Sequence, residues 1–466
     1  MIELPGVNHV HCIGIGGIGL SAVAEILLSE GYRVSGSDMN ESDTIDRLIE
    51  HGATVYLGHR QRNVKGADLV IYSSAIPMTN PEIAVAKEAG VPVITRAQML
   101  GQLMSLRNNS VAVSGTHGKT TTTAMISLIL KKAGKDPTIL VGGNLPEISG
   151  NVSVGAGDYF VTEACEYMDS FLSLSPKYAI ILNIDSDHLD YFKDIDHIVR
   201  SFEQFTGQVR DDGAVIAFDA NPFVSSIIDD IDKRVITFGY NKRCDYSAGG
   251  IKFGEDGMPS FTVRRGGDTL ARIKLSVPGE HNISNALASF ACCCEMGIEP
   301  SAIARTLEEF TGIQRRFDIM GETFDGVMVI DDYAHHPTEI VATIRAARKI
   351  PHRSLWVLFQ PHTYTRTLAL HDDFAEALAL ADKAVVAEIY AAREKNVHQI
   401  SAKSIAHKMK EVDPCRDAWF FKSFEEIASF VLNNAEEGDL IITMGAGDIY
   451  KVGHLILETD REAHLK

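Results

Sequence analysis

The sequence contains no apolar run that approaches the length of a membrane span, so we expect no membrane-embedded segment and no membrane partner. Residues 1–20 lack a basic leader and a cleavage site, which argues against a secretory signal peptide. We interpret this stretch as the first strand of a domain. Apolar residues make up 45% of the chain, which is enough for well-buried cores.

The sequence also has fewer basic than acidic residues. The chain has 62 acidic and 44 basic residues among its 466, which gives a formal net charge of −18. A negative surface disfavours general nucleic-acid binding, because the phosphates repel it. It does not exclude an anionic nucleotide, because backbone amides, a lysine or Mg²⁺ can dominate the field of one site.

Cysteine is scarce and odd in number, with seven residues in the whole chain. Without an export signal, this composition favours a reducing cytoplasm over a disulfide framework. The run from Cys292 to Cys294 raises the question of a metal site. Three consecutive residues on a helix point in different directions, so we predict small buried thiols there.

Strand and helix patterns alternate along most of the chain, which indicates parallel sheets of the α/β class. The length favours three domains, which we place at residues 1–105, 106–314 and 315–466. Glycines punctuate residues 244–277, which predicts antiparallel hairpins laid against the main central sheet. We expect a hinge near residues 312–321. The predicted elements include strands at 159–163 and 355–359 and helices at 21–30 and 339–349.

A loop between a predicted strand ending at Ser114 and a helix starting near Lys119 has the composition of a phosphate-binding loop. Its glycines let backbone amides converge on phosphate oxygens at a helix N-terminus. Lys119 would bridge the terminal phosphates, and the Thr120 hydroxyl would hold Mg²⁺. The loop is a shortened variant of the phosphate-binding loop, because the standard first glycine is absent. The alternative to ATP binding is a helix N-terminus that holds no ligand. The predicted ATP-binding residues of this loop are Gly115, Thr116, His117, Gly118, Lys119, Thr120 and Thr121.

Carboxylates and an imidazole follow the next two predicted strands. Glu163 and Glu166 come after one strand, and Asp185, Asp187 and His188 come after the other. Open α/β sheets bind ligands at the carboxyl ends of their strands. These groups could hold one or two Mg²⁺ ions, or they could be solvated loop charges.

A second glycine loop lies near the N-terminus, between a predicted strand and a predicted helix. It contains Gly14, Gly16, Gly17 and Gly19, and Asp38 ends the next strand. This is the context of a dinucleotide-binding fingerprint, and taken alone it would favour an NAD-dependent oxidoreductase. Such a loop requires only that its ligand has a diphosphate, which binds at the helix N-terminus, and a ribose, which lies near the acidic residue. A UDP-sugar has both a diphosphate and a ribose. A further alternative is that the glycines are purely structural.

Eight motifs in order make the chain resemble the Mur ligases over nearly its whole length. The resemblance implies an enzyme with a UDP-binding Rossmann-like domain, a central P-loop ATPase-like domain with a small antiparallel element, and a C-terminal Rossmann-like domain that admits an amino acid. The motifs are HCIGIGGIG (11–19), GTHGKTTTT (115–123), EACEYMDSF (163–171), NIDSDH (183–188), PGEHNISN (278–285), RRF (315–317), DDYAHHPTE (331–339) and FQPHTYTRT (359–367).

The resemblance also implies roles for individual residues. The UDP-sugar would contact Gly14, Gly16, Gly17 and Gly19, with Asp38 near its ribose. Lys119, Thr120, Glu163 and His188 would serve ATP and Mg²⁺, the last three as metal ligands. His281, Asn282 and Asn285 would lie near the adenine, and Arg315 or Arg316 near the phosphates. The third domain would contribute Asp331, Tyr333 and Arg366 to substrate binding and His335 and His336 to catalysis.

Two positions depart from the family pattern. A second arginine often stands where this chain has Thr363, which leaves Arg366 as the candidate guanidinium there. Several related ligases carry a carbamylated lysine after the Asp-His motif. By its spacing from His188, Glu203 takes that place, and its native carboxylate could support a metal in the same way.

The motifs are most similar to those of the members that join L-alanine to the lactyl carboxylate of UDP-N-acetylmuramate through an acyl phosphate, with ATP and Mg²⁺. We therefore expect these two small-molecule substrates, no nucleic acid, and a monomer or homodimer. His335 or His336 would accept the amine proton, although one of the two rings could instead cap the helix near Pro337. The alternatives are a sibling that adds a preformed tripeptide, an NAD-dependent oxidoreductase, and a P-loop switch or motor protein. The sequence leaves the preference among L-Ala, Gly and L-Ser open.

Overall fold

The computed structural model describes residues 6–188, 191–229, 231–392 and 394–465. Their strands form three sheets of five, ten and six strands, which follow one another along the chain. Helices cover each sheet. The predicted α/β class with three sheet-containing units is therefore confirmed.

The first sheet is wholly parallel, in the order β3-β2-β1-β4-β5. Every residue of β1 is buried, as expected for a strand with helices on both faces. The strand order reverses at β1, and the N-terminal glycine loop follows this strand. The elements are β1 His9–Ile13, α1 Ile18–Ser29, β2 Arg33–Asp38, α2 Asp43–Glu50, β3 Thr54–Leu57, β4 Leu69–Tyr72, α3 Pro81–Glu88, β5 Val93–Thr95 and α4 Arg96–Ser105.

The central sheet has β6 between β10 and β9, so its strand order also reverses at the strand that precedes the phosphate loop. Ligands of open α/β sheets bind outside such a reversal. The elements up to its parallel edge are β6 Asn109–Ser114, α5 Lys119–Lys132, β7 Thr138–Leu145, β8 Gly150–Ser153, β9 Tyr159–Glu163, β10 Tyr178–Ile181, α6 Ile195–Gly207, β11 Ala214–Phe218, α7 Pro222–Ile228 and β12 Val235–Gly239.

The expected hairpins do form, but our placement of them was wrong. They do not lie against the sheet; they continue it edge to edge, because β13 pairs in parallel with β12 and then antiparallel with β14. Pairing at the edge satisfies the exposed backbone groups of β12, which packing against a face would not do. The remaining elements of this domain are β13 Tyr246–Phe253, β14 Pro259–Arg265, β15 Asp268–Lys274, α8 Glu280–Glu295 and α9 Pro300–Glu309.

The third sheet has the order β16-β17-β21-β18-β19-β20, with only β16 antiparallel. The buried apolar runs at 355–359 and 440–444 form its centre. Its elements are β16 Asp318–Glu322, β17 Met328–Asp332, α10 Pro337–Ala347, β18 Leu355–Phe359, α11 Tyr364–Ala369, α12 His371–Leu378, β19 Lys383–Val386, α13 Lys403–Val412, β20 Asp417–Phe420, α14 Phe424–Asn434, β21 Leu440–Met444 and α15 Tyr450–His464.

The apolar cores of the described residues connect the first domain to the central domain but do not extend from the central domain into the third. One apolar cluster runs through the first and central domains and includes Leu100 and Leu103 of α4 as well as Phe171 and Leu174. The apolar clusters of the third domain contain only its own residues among those described. The first two domains are therefore held together by a shared core, whereas the third is an independent packing unit.

No helix among the described residues is both long enough and apolar enough to cross a membrane.

Candidate active site

The phosphate loop begins where β6 ends at Ser114, and α5 starts at Lys119 as predicted. Gly118 precedes the helix with a φ of 85°, a left-handed conformation that suits glycine. A Cβ atom at position 118 would lie 2.5 Å from the side-chain oxygen of Asn285. Both the backbone conformation and the close approach therefore explain the glycine at this position.

Lys119 folds back over the loop. Its Nζ donates hydrogen bonds to the carbonyls of Gly115 and Thr116, at 2.5 and 3.1 Å, and forms an ion pair with Glu166 at 2.9 Å. Burial alone would lower the pKa of Lys119, but the Glu166 carboxylate outweighs it and holds this pKa above its ordinary value. The ammonium is thus kept charged at the place where terminal phosphates would bind.

Two consecutive glycines of β7 lie next to two of the predicted metal ligands. The amide of Gly142 donates to Glu163 Oε1 at 2.6 Å. A Cβ atom at position 142 would lie 2.6 Å from the same oxygen, and one at position 143 would lie 3.3 Å from the Thr120 methyl group. Glu163 and Thr120 both offer oxygen ligands, which Mg²⁺ prefers.

His188, the third predicted metal ligand, has other neighbours. Its Nε2 lies 3.8 Å from both Glu166 Oε1 and Asp187 Oδ2, and its φ of 55° is unusual for a residue that is not glycine. Burial lowers the pKa of His188 against the opposing effect of Asp187 and Glu166, so the ring is in the neutral form that binds metals. Among the candidate ligands, His188 therefore lies next to Glu166, whereas Glu163 lies against the Gly142 amide.

Glu203 is exposed on α6, and its side chain has no hydrogen bond or ion pair with the rest of the described chain. The neighbouring Ser201 instead donates to Asp169, which also accepts from Tyr191. The structure therefore adds nothing to the spacing argument for a metal-supporting role of Glu203.

A cavity of about 490 Å³ opens between the central and third domains beside the phosphate loop. Four residues with a predicted role near the adenine or the phosphates line it: His281, Asn282, Asn285 and Arg316. Burial lowers the pKa of His281 to about 4, so this ring is neutral. Wall residues without a predicted role are Phe218, Asn221, Phe223, Asp332 and Glu339.

The two adjacent arginines take different positions. Arg316 lines the cavity, whereas Arg315 donates through Nε to Asp331 at 3.1 Å and through its terminal nitrogen to the carbonyls of Gly445 and Gly447. Of the two arginines considered for the phosphates, the geometry favours Arg316. The ion pair between Arg315 and Asp331 lies within the third domain. Burial raises the pKa of Asp331 despite this pairing. Both guanidinium groups lie over the ring of Tyr333. The distance from Cζ to the ring centroid is 4.9 Å for Arg315 and 5.1 Å for Arg316.

His117 joins the phosphate loop to the third domain. Its Nε2 lies 3.2 Å from Asp185, and its Nδ1 lies 3.2 Å from Glu339 at the start of α10. Burial lowers its pKa, but the hydrogen bonds to the two carboxylates raise it to about 9. His117 is therefore an imidazolium held between carboxylates of two domains.

Arg366 forms a second polar link between these domains, because its guanidinium donates to Asp187 at 2.7 Å. Burial would raise the pKa of Asp187, but Arg366 holds it well below the ordinary range. A further link joins the Thr338 hydroxyl to Asp185 at 2.8 Å. Arg366, a predicted substrate-binding residue, thus faces the Asp-His motif across the interface.

The histidine pair divides into two roles. His336 is the N-cap of α10: its Nδ1 accepts from the Thr338 amide at 3.3 Å, and its Nε2 lies 3.1 Å from the Ser186 carbonyl. This is the expected capping role. In His335, by contrast, Nδ1 lies 3.0 Å from the Tyr333 carbonyl and 3.2 Å from Glu339. These acceptors place the proton of a neutral ring on Nδ1 and leave the Nε2 lone pair for a substrate.

The N-terminal glycine loop lies in the first domain, away from this cavity. Asp38 accepts from the Gly16 amide at 2.9 Å, so it supports the loop itself as well as ending β2. Gly14 has a φ of 82°, and Gly17 is the N-cap of α1 without a side-chain cap. Gly19 lies inside the helix, which begins three residues before the predicted start.

Three family models match the chain in succession. Residues 9–108 match "Mur ligase family, catalytic domain", residues 113–293 match "Mur ligase middle domain", and residues 315–447 match "Mur ligase, glutamate ligase domain". A UDP-N-acetylmuramate–L-alanine ligase of Alkaliphilus metalliredigens is 47% identical over 97% of both chains. One of Acetivibrio thermocellus is 49% identical over 97% of this chain and 96% of that relative.

Solved structures agree with these relatives. A UDP-N-acetylmuramate–alanine ligase of Thermotoga maritima is 32% identical and has a TM-score of 0.80, covering 98% of this chain and 99% of its own. A murein peptide ligase of Psychrobacter arcticus is 26% identical and has a TM-score of 0.71 over the same shares.

Proposed function

The chain belongs to the Mur ligase family, and from this premise we propose that it joins L-alanine to the lactyl carboxylate of UDP-N-acetylmuramate with ATP as the phosphoryl donor. The observation that carries the proposal is the closure of the third domain over the phosphate loop. Glu339 and Arg316 of the third domain and His117 of the loop line one nucleotide-sized cavity.

ATP would lie with its base against His281, Asn282 and Asn285 and its phosphates along residues 115–121 and Arg316. The γ-phosphate would then lie toward the interface where Arg366 meets Asp187 and His335 meets Glu339. Hydrogen-bond donors that are already in place around a developing charge lower the barrier without reorganisation. Lys119 would be such a donor, because the pairing with Glu166 keeps it charged.

Mg²⁺ would be held by Thr120, Glu163 and His188, and when bound it supplies positive charge that offsets the repulsion between phosphate and carboxylate. The oxygen pair beside the two glycines of β7 supports this assignment. Glu166 contacts both Lys119 and His188, at 2.9 and 3.8 Å, so it couples the lysine to the third predicted ligand.

The chemistry requires activation because a carboxylate is a poor electrophile. Attack of the lactyl carboxylate oxygen on the γ-phosphorus breaks its bond to the bridging oxygen, which releases ADP and leaves an acyl phosphate. The neutral amine of alanine then attacks the acyl carbon, the carbon–oxygen bond to phosphate breaks, and inorganic phosphate leaves. Closure of the third domain excludes water from the acyl phosphate.

The alanine ammonium must lose a proton before it attacks. His335 is the better placed of the two histidines, because its Nδ1 is held by Tyr333 and Glu339, whereas the Nδ1 of His336 is used in capping α10. Glu339 would stabilise the imidazolium that forms, as an orienting carboxylate does in hydrolytic triads. Arg366 would take the alanine carboxylate.

The experiment is release of ADP and phosphate with UDP-N-acetylmuramate and either L-alanine or a tripeptide offered side by side. We expect release to depend on L-alanine and to be abolished in Lys119→Ala, because the variant lacks the ammonium at the phosphate loop. Lys132→Ala, on the exposed end of the same helix, is the matched control and should keep full activity.

Equal turnover of Lys119→Ala and the unaltered protein would refute the ATP site. A preference for the tripeptide would identify the peptide-adding sibling. Nucleotide hydrolysis that ignores both amines would indicate a switch or motor protein, and tight binding of a nicotinamide dinucleotide would favour the oxidoreductase.

A further inference from the structure

Arg96 is a half-buried arginine at the start of α4, directly after the cap residue Thr95. Its side chain crosses to the first turn of α1. A Cβ atom at position 19 would lie 3.2 Å from the Cδ and Nε of Arg96 and 3.3 Å from its Cζ. The missing side chain of Gly19 is therefore what lets the guanidinium rest against the end of the glycine loop.

The guanidinium of Arg96 is not neutralised by the protein. It makes no hydrogen bond or ion pair to any residue within 6–188, 191–229, 231–392 and 394–465. Arg47, which also lies near this face, is by contrast paired with Glu25 at 2.6 Å. A guanidinium is always charged, so Arg96 adds one unbalanced positive charge beside the loop.

The loop lies where two domains meet. The side-chain amide of Asn151, in β8 of the central domain, donates to the Ile18 carbonyl at 3.5 Å. The same hairpin begins with β7, where the Gly142 amide donates to Glu163 and a Cβ atom at position 143 would lie 3.3 Å from the Thr120 methyl group. One hairpin of the central domain therefore lies beside both glycine-containing loops.

We propose that Arg96 binds the diphosphate of the nucleotide sugar and supplies its counter-charge. The inference rests on the proposed function and deepens it. The first two amides of α1, at Ile18 and Gly19, have no partner among the described residues, and Gly17 supplies no side-chain cap, so they can donate to phosphate oxygens. Amides are neutral, however, and a diphosphate is not; the planar fork of arginine provides charge and two parallel hydrogen bonds.

The test compares ligands that differ only in charge. The Kd values for UDP, uridine and ADP are measured by calorimetry for the unaltered protein, Arg96→Gln, Arg96→Lys and the control Arg62→Gln, an exposed arginine of the same domain. We expect Arg96→Gln to weaken UDP binding about 10- to 100-fold, the range of a charge-assisted hydrogen bond. Uridine and ADP should bind as before, Arg96→Lys should lie in between, and Arg62→Gln should change nothing.

Unchanged UDP binding by Arg96→Gln would overturn the assignment and leave the proposed function standing, provided the unaltered protein binds UDP. Equal weakening of UDP and uridine would also overturn it, because a merely structural role affects both ligands. If the unaltered protein binds ADP but neither UDP nor UDP-N-acetylmuramate, the proposed function itself fails, and the assignment fails with it.

Discussion

The side chains around the phosphate loop hold charges that burial alone would suppress. Lys119 stays an ammonium because of Glu166, and His117 stays an imidazolium because of Asp185 and Glu339. Asp187 stays ionised because Arg366 faces it. Each of these charges is balanced inside the protein, so a substrate with the same charge can replace one partner without leaving the other unpaired.

The histidine pair leads to a prediction about single residues. His335→Gln should lower kcat by about 100-fold or more, the usual contribution of a general base, because no other nitrogen replaces its free Nε2. The KM for ATP should stay unchanged, because His335 is not among the residues that line the cavity. Steady-state measurement of kcat and of the KM for ATP gives the test.

The matched variant is His336→Asn, since asparagine is itself a good N-cap. It should keep α10 intact and lower kcat much less than His335→Gln does. A larger loss of kcat in His336→Asn than in His335→Gln would reverse the assignment.

Among the elements, α3 is tied to the first sheet by a buried carboxylate. Glu82 is fully buried and accepts hydrogen bonds from the Ser37 hydroxyl at 2.5 Å, the Asn63 amide at 2.6 Å and the Arg60 backbone at 3.0 Å. The carbonyl of Ser37 in turn accepts hydrogen bonds from the amides of Gly14 and Ile15. The helix, the end of β2 and the glycine loop are therefore one hydrogen-bonded unit.

Glu82→Gln should lower the free energy of local unfolding of the first domain by about 2 kcal/mol, because an amide group then faces donors that need an acceptor. Burial would raise the pKa of Glu82, but its contacts with His11, Ser37 and Asn63 lower it. The stabilisation is therefore present above the carboxyl's ordinary pKa and is lost as pH falls through the lowered value. Hydrogen exchange of the β1 and β2 amides measures it. Glu88→Gln, on the exposed side of α3, should exchange like the unaltered protein, and equal protection in both variants would contradict this account.

Elements that rest on a local pattern could be predicted from the sequence. The strands at 159–163 and 355–359 have the expected bounds, because short apolar runs have clear limits. The helix expected at 339–349 begins at Pro337, because His336 caps it and proline suits the first turn. The edge pairing of β13 with β12 was missed, since nothing local to a hairpin specifies which edge it joins.

In the site, the motif residues were predictable but their partners were not. The contact between His117 and Glu339 joins positions 222 residues apart, and no spacing rule reaches that far. Glu339 is the last residue of the motif at 331–339, and this motif was the only signal in the sequence that pointed to it. The pair Gly142–Gly143 in a strand was a further signal, because glycine inside a strand marks a close approach of another group.

At the scale of the whole molecule, the two domain interfaces have opposite character. The first and central domains share an apolar core, whereas the described links between the central and third domains at the cavity are ion pairs and hydrogen bonds. Polar interfaces separate more readily than shared cores. We therefore expect opening and closing to occur between the central and third domains, where Gly312 has a φ of 111° and lines the cavity.

Closure should depend on pH through His117. Because its pKa is raised to about 9 in the closed form, its bridge to Glu339 is complete below the ordinary histidine pKa and is lost as pH rises through about 9. The neighbouring Arg316 keeps its charge throughout this range. Small-angle scattering should show a larger radius of gyration above that pH, and His117→Gln should be expanded at neutral pH with little further change. A radius that does not change with pH in the unaltered protein would exclude His117 as the link.

The shared core also determines how the chain should melt. We expect the described residues before about 315 to unfold as one cooperative unit and the third domain as another, because their apolar clusters are separate, so calorimetry without ligands should resolve two heat-absorption peaks. Because the cavity has walls from both units, a nucleotide that fills it binds only when both are folded. Saturating nucleotide should raise the lower transition toward the upper one until the two merge, and any synthetic compound that fits this seam would act as a cross-link between separately folding parts.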